Sequence, residues 1–328
     1  MSTQVELPGE LIPGTIAGPA PAEAADPPPT RIDPPSGWQL VNVRELWQCR
    51  ELVYFLTWRD VKVSYKQTVL GAAWAILQPL MMMVVFTIFF SRMAGVPHGD
   101  LPYPLFAYAG LLPWTFFATA IAAAGHSVVA SERLISKIYF PRLAIPIAAV
   151  GAAVIDFVIA FGLLLAMMAY YRIPPGPGLL LTPLVFGLIL LAALGVGLLL
   201  AALNATYRDF RYVIPFLVQL WMFATPSVYM QVADEPAAAV PTPAPSATAE
   251  PPHASGPQAP GREISSGAIR SLLALNPMTG LIGTFRASVL GGAIPWGKLA
   301  VSSLCVATVF LIGCLYFRRV EDGFADII

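Results

Sequence analysis

The chain has 328 residues, 57% of them hydrophobic and 12% charged, with a formal net charge of zero. Soluble domains carry about 25% charged residues, so this is a membrane composition, and without a basic surplus it is not that of a nucleic-acid binder. Cys49, Cys305 and Cys314 lack any metal-ligand spacing and read as small hydrophobes outside any disulfide framework.

Residues 1–36 hold Pro27-Pro28-Pro29 and Pro34-Pro35 and almost nothing to bury. A disordered, partly polyproline tail is expected, with a partner-binding role left open. It has neither the basic start nor the apolar core of a signal peptide, so the first span is expected to direct insertion.

Next comes a stretch, 44–66, that reads as an amphipathic helix. Trp47, Tyr54, Trp58, Val61 and Tyr65 recur at helical spacing as one stripe, while Arg44, Gln48, Glu51, Arg59, Lys62 and Lys66 fall opposite. That division suits a helix lying in a membrane interface, with rings at the headgroups and basic groups toward water.

Runs near the ~20 residues needed to cross hydrocarbon then number roughly six, at about 68–93, 105–125, 143–171, 179–205, 213–230 and 299–317. The fold class expected is therefore an all-α polytopic membrane protein with six transmembrane helices. Arg59, Lys62 and Lys66 precede the first span. Arg133, Lys137 and Arg142 follow the second, Arg208 and Arg211 the fourth, and Arg318 and Arg319 the sixth. Basic groups accumulate in cytoplasmic loops, so both termini are expected in the cytoplasm. On the other side, residues 234–261 form an Ala/Pro-rich low-complexity insertion, expected to be disordered. Residues 269–290 hold two short apolar segments meeting at Asn276-Pro277, where the proline breaks any helix. These suit short re-entrant or interfacial helices, or two plain surface helices.

Asp156 is the acid set well inside a span, where a carboxylate is costly and marks function or a polar partner. Ala149, Ala153, Asp156 and Ala160 share a helical face of small residues, so Asp156 is expected to point at a neighbouring helix and hydrogen-bond there. A proton-relay or substrate role stays open beside it. Ala193, Gly197, Ala201 and Ala205 make a second small-residue seam. Rings at span ends, such as Tyr103 and Tyr229, are read as belt anchors. Deeper rings, Trp114 and Phe117 among them, fit either the same bland anchoring or stacking on sugar faces along a path. The loop 125–142, with Glu132, Arg133 and Lys137, fits a short helix docking in a partner's groove. No Gly-x-x-x-x-Gly-Lys-Ser/Thr phosphate loop, His-Glu-x-x-His or Gly-x-Ser-x-Gly stretch occurs, so a nucleotide-driven cycle would need another subunit.

Five co-linear blocks carry a resemblance. WRDVKVSYKQTVLGAAWAILQPL (Trp58–Leu80), YPLFAYAGLLPWTFF (Tyr103–Phe117), LISKIYFPRLAIP (Leu134–Pro146), YRDFRYVIPFLVQLWMFATPSVY (Tyr207–Tyr229) and LNPMTGLIGTFR (Leu275–Arg286) look like the signatures of ABC-2-type polysaccharide export permeases, in order. The resemblance covers Leu46 to Phe317.

It implies a non-enzymatic permease subunit in the bacterial cytoplasmic membrane, exporting a lipid-linked (undecaprenyl-type) O-antigen, capsule or teichoic-acid chain. It further implies a homodimer with two ATPase subunits that bind the ATP, and no cofactor of the permease's own. By the same resemblance, Tyr54, Trp58, Arg59, Lys62 and Lys66 lie on a gate helix where substrate first meets the protein. Glu132, Arg133, Leu134, Lys137 and Tyr139 form an ATPase-coupling helix. Phe86, Phe106, Trp114, Phe117 and Trp221 are channel aromatics, and Asn276, Pro277, Phe285 and Arg286 belong to a periplasmic gate.

The Pro-rich tail and the 234–261 insertion depart from the family pattern. Plain anchoring to anionic lipid explains Arg59, Lys62 and Lys66 as well as attraction of a pyrophosphate does. Rival readings are an exporter of small lipids or drugs on the same fold, a membrane enzyme on lipid-linked sugars, and an assembly protein.

Overall fold

The computed structural model describes residues 47–66, 73–89, 101–137, 140–225, 228, 276–321 and 323–324. Its elements are helices: α1 Arg50–Lys66, α2 Ala73–Phe86, α3 Tyr103–Ala130, α4 Glu132–Ile135, α5 Ala144–Tyr170, α6 Thr182–Thr206, α7 Phe210–Phe223, α8 Pro277–Leu290 and α9 Trp296–Glu321. A 3-10 turn, Pro177–Leu181, leads into α6. The tail 1–36, residues 37–46, the insertion 234–261 and the first of the two segments before Asn276 lie outside the described residues.

Among the described residues, four stretches are long and apolar enough to cross a membrane: Tyr103–Ala130, Ala144–Tyr170, Pro177–Thr206 and Trp296–Glu321. Their α-helices have 28, 27, 25 and 26 residues. At 1.5 Å per residue each is about 37–42 Å long, against roughly 30 Å of hydrocarbon. The protein is therefore integral to a membrane. Of the stretches expected at 68–93 and 213–230, only part lies among the described residues. Their α-helices, α2 and α7, each have 14 residues, about 21 Å, and each carries an internal proline, Pro79 and Pro215.

Close helix approach rests on small residues. A Cβ at Gly195 of α6 would fall 2.6 Å from the Phe310 Cα of α9, and Gly313 of α9 lies against the Gly195 carbonyl in return. On the other side of α6, a Cβ at Gly197 would come within 2.7 Å of the Ala124 Cβ of α3. Ala193 and Ala201 of the same seam are fully buried. With lipid outside as apolar as any leucine, such backbone-close van der Waals contact is what holds the bundle. Asn204 adds a polar tie, donating to the Gly125 carbonyl at 2.8 Å.

One packed layer gathers Leu56 of α1, Ile135 of α4, Leu143 and Ala144 at the start of α5, Ala205 at the end of α6, and Phe317 at the end of α9. The basic segments expected on one side of the membrane thus meet at one end of the bundle. At the opposite end, α8 enters the protein and is buried nearly all round, Met278, Leu281, Ile282, Phe285 and Val289 being fully enclosed. It is a buried helix rather than a surface one. Its far end turns at Gly291, whose φ of 82° is the left-handed region that favours glycine. There Ser288 hydrogen-bonds Thr182 of α6 at 3.0 Å.

The helix α1 corrects one expectation. Its inward face is Val53, Leu56, Thr57, Asp60, Val61 and Tyr65, while Tyr54 and Trp58 are 64% and 53% exposed. The stripe expected on one face is therefore split: Val61 and Tyr65 pack inward, Tyr54 and Trp58 outward. The cause lies on α5, where glycine leaves room. A Cβ at Gly151 would sit 3.0 Å from the Thr57 hydroxyl, so Thr57 rather than an aromatic ring seats there. A second contact, Tyr65 to Asp156, lies further along both helices. The two helices thus run in the same direction and are docked together rather than merely sharing a membrane surface.

Candidate functional site

Three neighbourhoods hold the residues of interest, one at each end of the bundle and one between. At the basic end, α4 is a single turn that follows α3 after the break at Ser131. Ile135 is buried and anchors it, and Leu134 packs against the same layer. Glu132, Arg133, Ser136 and Lys137 are exposed. The turn is thus anchored by apolar residues and shows its charges outward. Tyr139 lies outside the described residues.

Between the ends, Tyr65 donates its hydroxyl to Asp156 Oδ1. Asp156 thus hydrogen-bonds to a neighbouring helix, as the small-residue face around it leads one to expect. Burial, and then the hydrogen bond and charge of Asp156, push the Tyr65 phenol above its ordinary value of 10.0. Asp156 also lines a pocket of about 50 Å³ with Gln78 and Pro79 of α2, Thr115, Phe116 and Thr119 of α3, and Ala153, Phe157 and Ala160 of α5. On the outer surface of α1, Trp58, Arg59, Lys62 and Lys66 are exposed, with Arg59 paired to Asp60 at 2.9 Å.

At the far end, Asn276 caps α8, its side-chain oxygen accepting the Met278 N–H at 3.1 Å, with Pro277 at the first helical position. The same oxygen accepts the Trp221 indole N–H at 3.0 Å. Its amide donates to the Ala224 carbonyl at 3.0 Å and to Thr225 Oγ1 at 2.8 Å. Nearly three turns further along α8, the Arg286 guanidinium lies 3.8 Å from the Phe106 ring centre and donates to the Val228 carbonyl at 3.4 Å. Gly110 of α3 makes room for this guanidinium, since a Cβ there would clash with Arg286 Nη2.

The aromatics fall into separate groups, with Phe106 in a small cluster beside Tyr103. Trp114 meets Phe117 at 5.9 Å, and Phe117 meets Trp221 edge-on at 5.1 Å. Phe285 touches Phe157 and Phe161 at 6.1 and 6.3 Å. Phe106, Trp114 and Phe117 are buried within this protomer, while Phe86 and Trp221 are half-buried. As they stand, the first three pack the core, and only the last two have surface to offer a passing molecule.

Sequence reasoning missed the Tyr65–Asp156 pairing, the Asn276 bond to Trp221, and the grouping of Gln78, Thr115 and Thr119 around the pocket. Gln78 had a signal, being a polar residue beside a proline in an apolar run. Tyr65 had none that distinguished it from its stripe neighbours.

Known proteins are similar across this whole framework. The ABC-2 type transporter family matches residues 51–232, from the start of α1 to beyond α7. That is more than half of the chain, and the protein belongs to this family. A protein of Myxococcus xanthus described as an O-antigen export system permease is 29% identical over 284 residues, covering 85% of this chain and 96% of its own length. Two of Klebsiella pneumoniae with the same description are each 21% identical, covering 85% of this chain and 95% of their own lengths.

Proposed function

We propose that this chain is the permease subunit of an ATP-driven exporter that carries a lipid-linked polysaccharide, of O-antigen or capsule type, across the bacterial cytoplasmic membrane. One observation carries the reading: relatives described as O-antigen export permeases align over 95–96% of their own lengths, through all three neighbourhoods. In this reading α2 and α7 complete six spans, and both termini are cytoplasmic, in accord with the gathering of basic segments at one end. Two copies work with two copies of an ABC-type ATPase, as the family resemblance implies, and the lack of a phosphate loop in the chain fits ATP binding by that partner. It catalyses no reaction and holds no cofactor; ATP binds the partner.

The geometry gives each part a task. ATP binding moves the ATPase against α4, and the buried Ile135 passes that displacement to α3 and α5, which shift as rigid bodies. Beside them α1, with Tyr54, Trp58, Arg59, Lys62 and Lys66, forms the inner rim where an undecaprenyl-type pyrophosphate arrives. Its basic groups also hold anionic membrane lipid. At the outer end, α8 with Asn276, Pro277, Phe285 and Arg286 closes the path until the bundle opens. Phe86, Phe106, Trp114, Phe117 and Trp221 line the route once the helices part.

The test is a chromosomal deletion. Loss of surface polysaccharide together with cytoplasmic-side accumulation of its lipid-linked form supports the proposal. A deletion strain with normal surface polysaccharide, or one that accumulates only a small lipid, overturns it.

A further inference from the structure

The Asp156 carboxylate serves two neighbours. Oδ1 receives the Tyr65 hydroxyl from α1, and the same group lines the pocket enclosed by α2, α3 and α5. The other polar members are Gln78, Thr115 and Thr119, and the walls are the Phe116 and Phe157 rings. Within α3 the Thr115 hydroxyl donates to the Leu112 carbonyl at 3.0 Å, and the Thr119 hydroxyl to the Thr115 carbonyl at 2.8 Å. Both hydroxyl protons are therefore committed to the backbone, and the oxygens offer only lone pairs outward. Alongside stand a carboxylate, which accepts, and the Gln78 amide, which both accepts and donates.

A pocket with this balance needs an occupant rich in donors that also accepts one hydrogen bond. A hydroxyl does both. A cation would satisfy the carboxylate but leave the Gln78 N–H groups without use. Asp156 already holds a neutral hydroxyl, that of Tyr65, so adding a hydroxyl brings no new charge into a region where charge is costly. The ring walls supply the apolar face against which a pyranose packs.

We propose that this pocket is a sugar subsite, taking the hydroxyl edge of one monosaccharide unit of the cargo, with Asp156, Thr115 and Thr119 accepting its hydroxyls and Gln78 donating. The proposal rests on the polysaccharide reading above. Its volume of about 50 Å³ admits the edge of one ring and not a second unit. The site lies beside the docked end of α1, so the sugar nearest the lipid is the one it meets first. Because Asp156 joins the pocket to Tyr65, the same carboxylate connects an occupied pocket to the gate helix.

The test uses the full chain in nanodiscs of phosphatidylethanolamine and phosphatidylglycerol. Asp156 is labelled with dicyclohexylcarbodiimide and its labelling rate followed by mass spectrometry. Three amphiphiles with the same chain and different heads are added in turn: dodecyl maltoside, dodecyltrimethylammonium and octaethylene glycol monododecyl ether. The maltoside should slow labelling about fivefold, as for a site some 80% occupied, while the other two leave the rate unchanged. Ala153→Leu, which fills the pocket, should remove that protection. Equal protection by all three heads, stronger protection by the ammonium, none by the maltoside, or protection that survives Ala153→Leu overturns the proposal. So does an Asp156 that resists labelling both in the wild type and in Tyr65→Phe. A deletion strain that keeps its surface polysaccharide sinks the parent reading alone. Failed protection in a chain whose deletion does abolish that polysaccharide sinks the subsite alone.

Discussion

Trp221 donates its indole N–H to the Asn276 side-chain oxygen, joining the end of α7 to the start of α8 across 55 positions of sequence. The same oxygen caps α8, and the Asn276 amide holds Ala224 and Thr225. Asn276→Ala should therefore cost about 2 kcal/mol, roughly 1 for the lost cap and the rest for the half-buried Trp221 N–H and buried Thr225 left unmatched. Asn276→Asp keeps the acceptor and loses only the amide donors, so it should fall between. Thermal unfolding of the purified variants measures this, and an alanine variant as stable as wild type contradicts it.

The backbone-close crossing of α6 and α9 leaves no space for a side chain. Gly195→Leu and Gly313→Val should each push the helices apart, with overpacking of about 1–3 kcal/mol or more and a sharp fall in folded protein recovered from membranes. Gly187, with nothing near its Cβ position, is the control, and Gly187→Ala should be harmless. Equal yields of all three variants would refute the packing account.

Exposed charges on and just after α4 can be removed without touching the core. Replacing Glu132 and Lys137 together by alanine should leave the unfolding temperature unchanged while abolishing most export, with ATP hydrolysis continuing. Normal export by the double variant removes α4 as the contact with the ATPase.

Tyr65 makes a prediction about pH. Its phenol is raised above 10.0 by burial and by Asp156, so folding favours the protonated form. A raised value means the contribution is complete below about 10 and is lost only as pH climbs beyond it. Hydrogen exchange in α1, corrected for its intrinsic rate, should then show the same protection at pH 7 and pH 9. Tyr65→Phe should lose about 1–2 kcal/mol of that protection at both. Protection that falls between pH 7 and 9 in the wild type would count against the bond.

Long apolar runs were the most legible part of the chain. The starts and ends of α3, α5, α6 and α9 lie within a few residues of the runs read from hydropathy, because membrane thickness sets their length. Basic loops were legible for the same reason, and the structure brings them to one end. The helix break expected at Asn276-Pro277 falls at the start of α8, where Asn276 is the cap. Periodicity failed on α1 because a stripe marks a face without saying what it meets. Gly151 on a helix almost 100 positions away decided that Thr57 would turn inward and Tyr54 outward. The partners of Asp156 and Asn276 were hidden in the same way, being long-range hydrogen bonds. Helical spacing groups residues of one helix and is silent about pairs such as Tyr65 with Asp156.

The bond from Asn276 to Thr225 has a consequence for evolution of the family. The 50 positions between these two residues begin and end at a closed junction. Whatever lies between need not bridge any distance. Closing a flexible loop grows more costly only with the logarithm of its length, by about 0.6 kcal/mol per doubling. The junction therefore lets this part of the chain gain or shed a long Ala/Pro-rich passage while the helix it delivers starts from the same place, like a zip held at its foot.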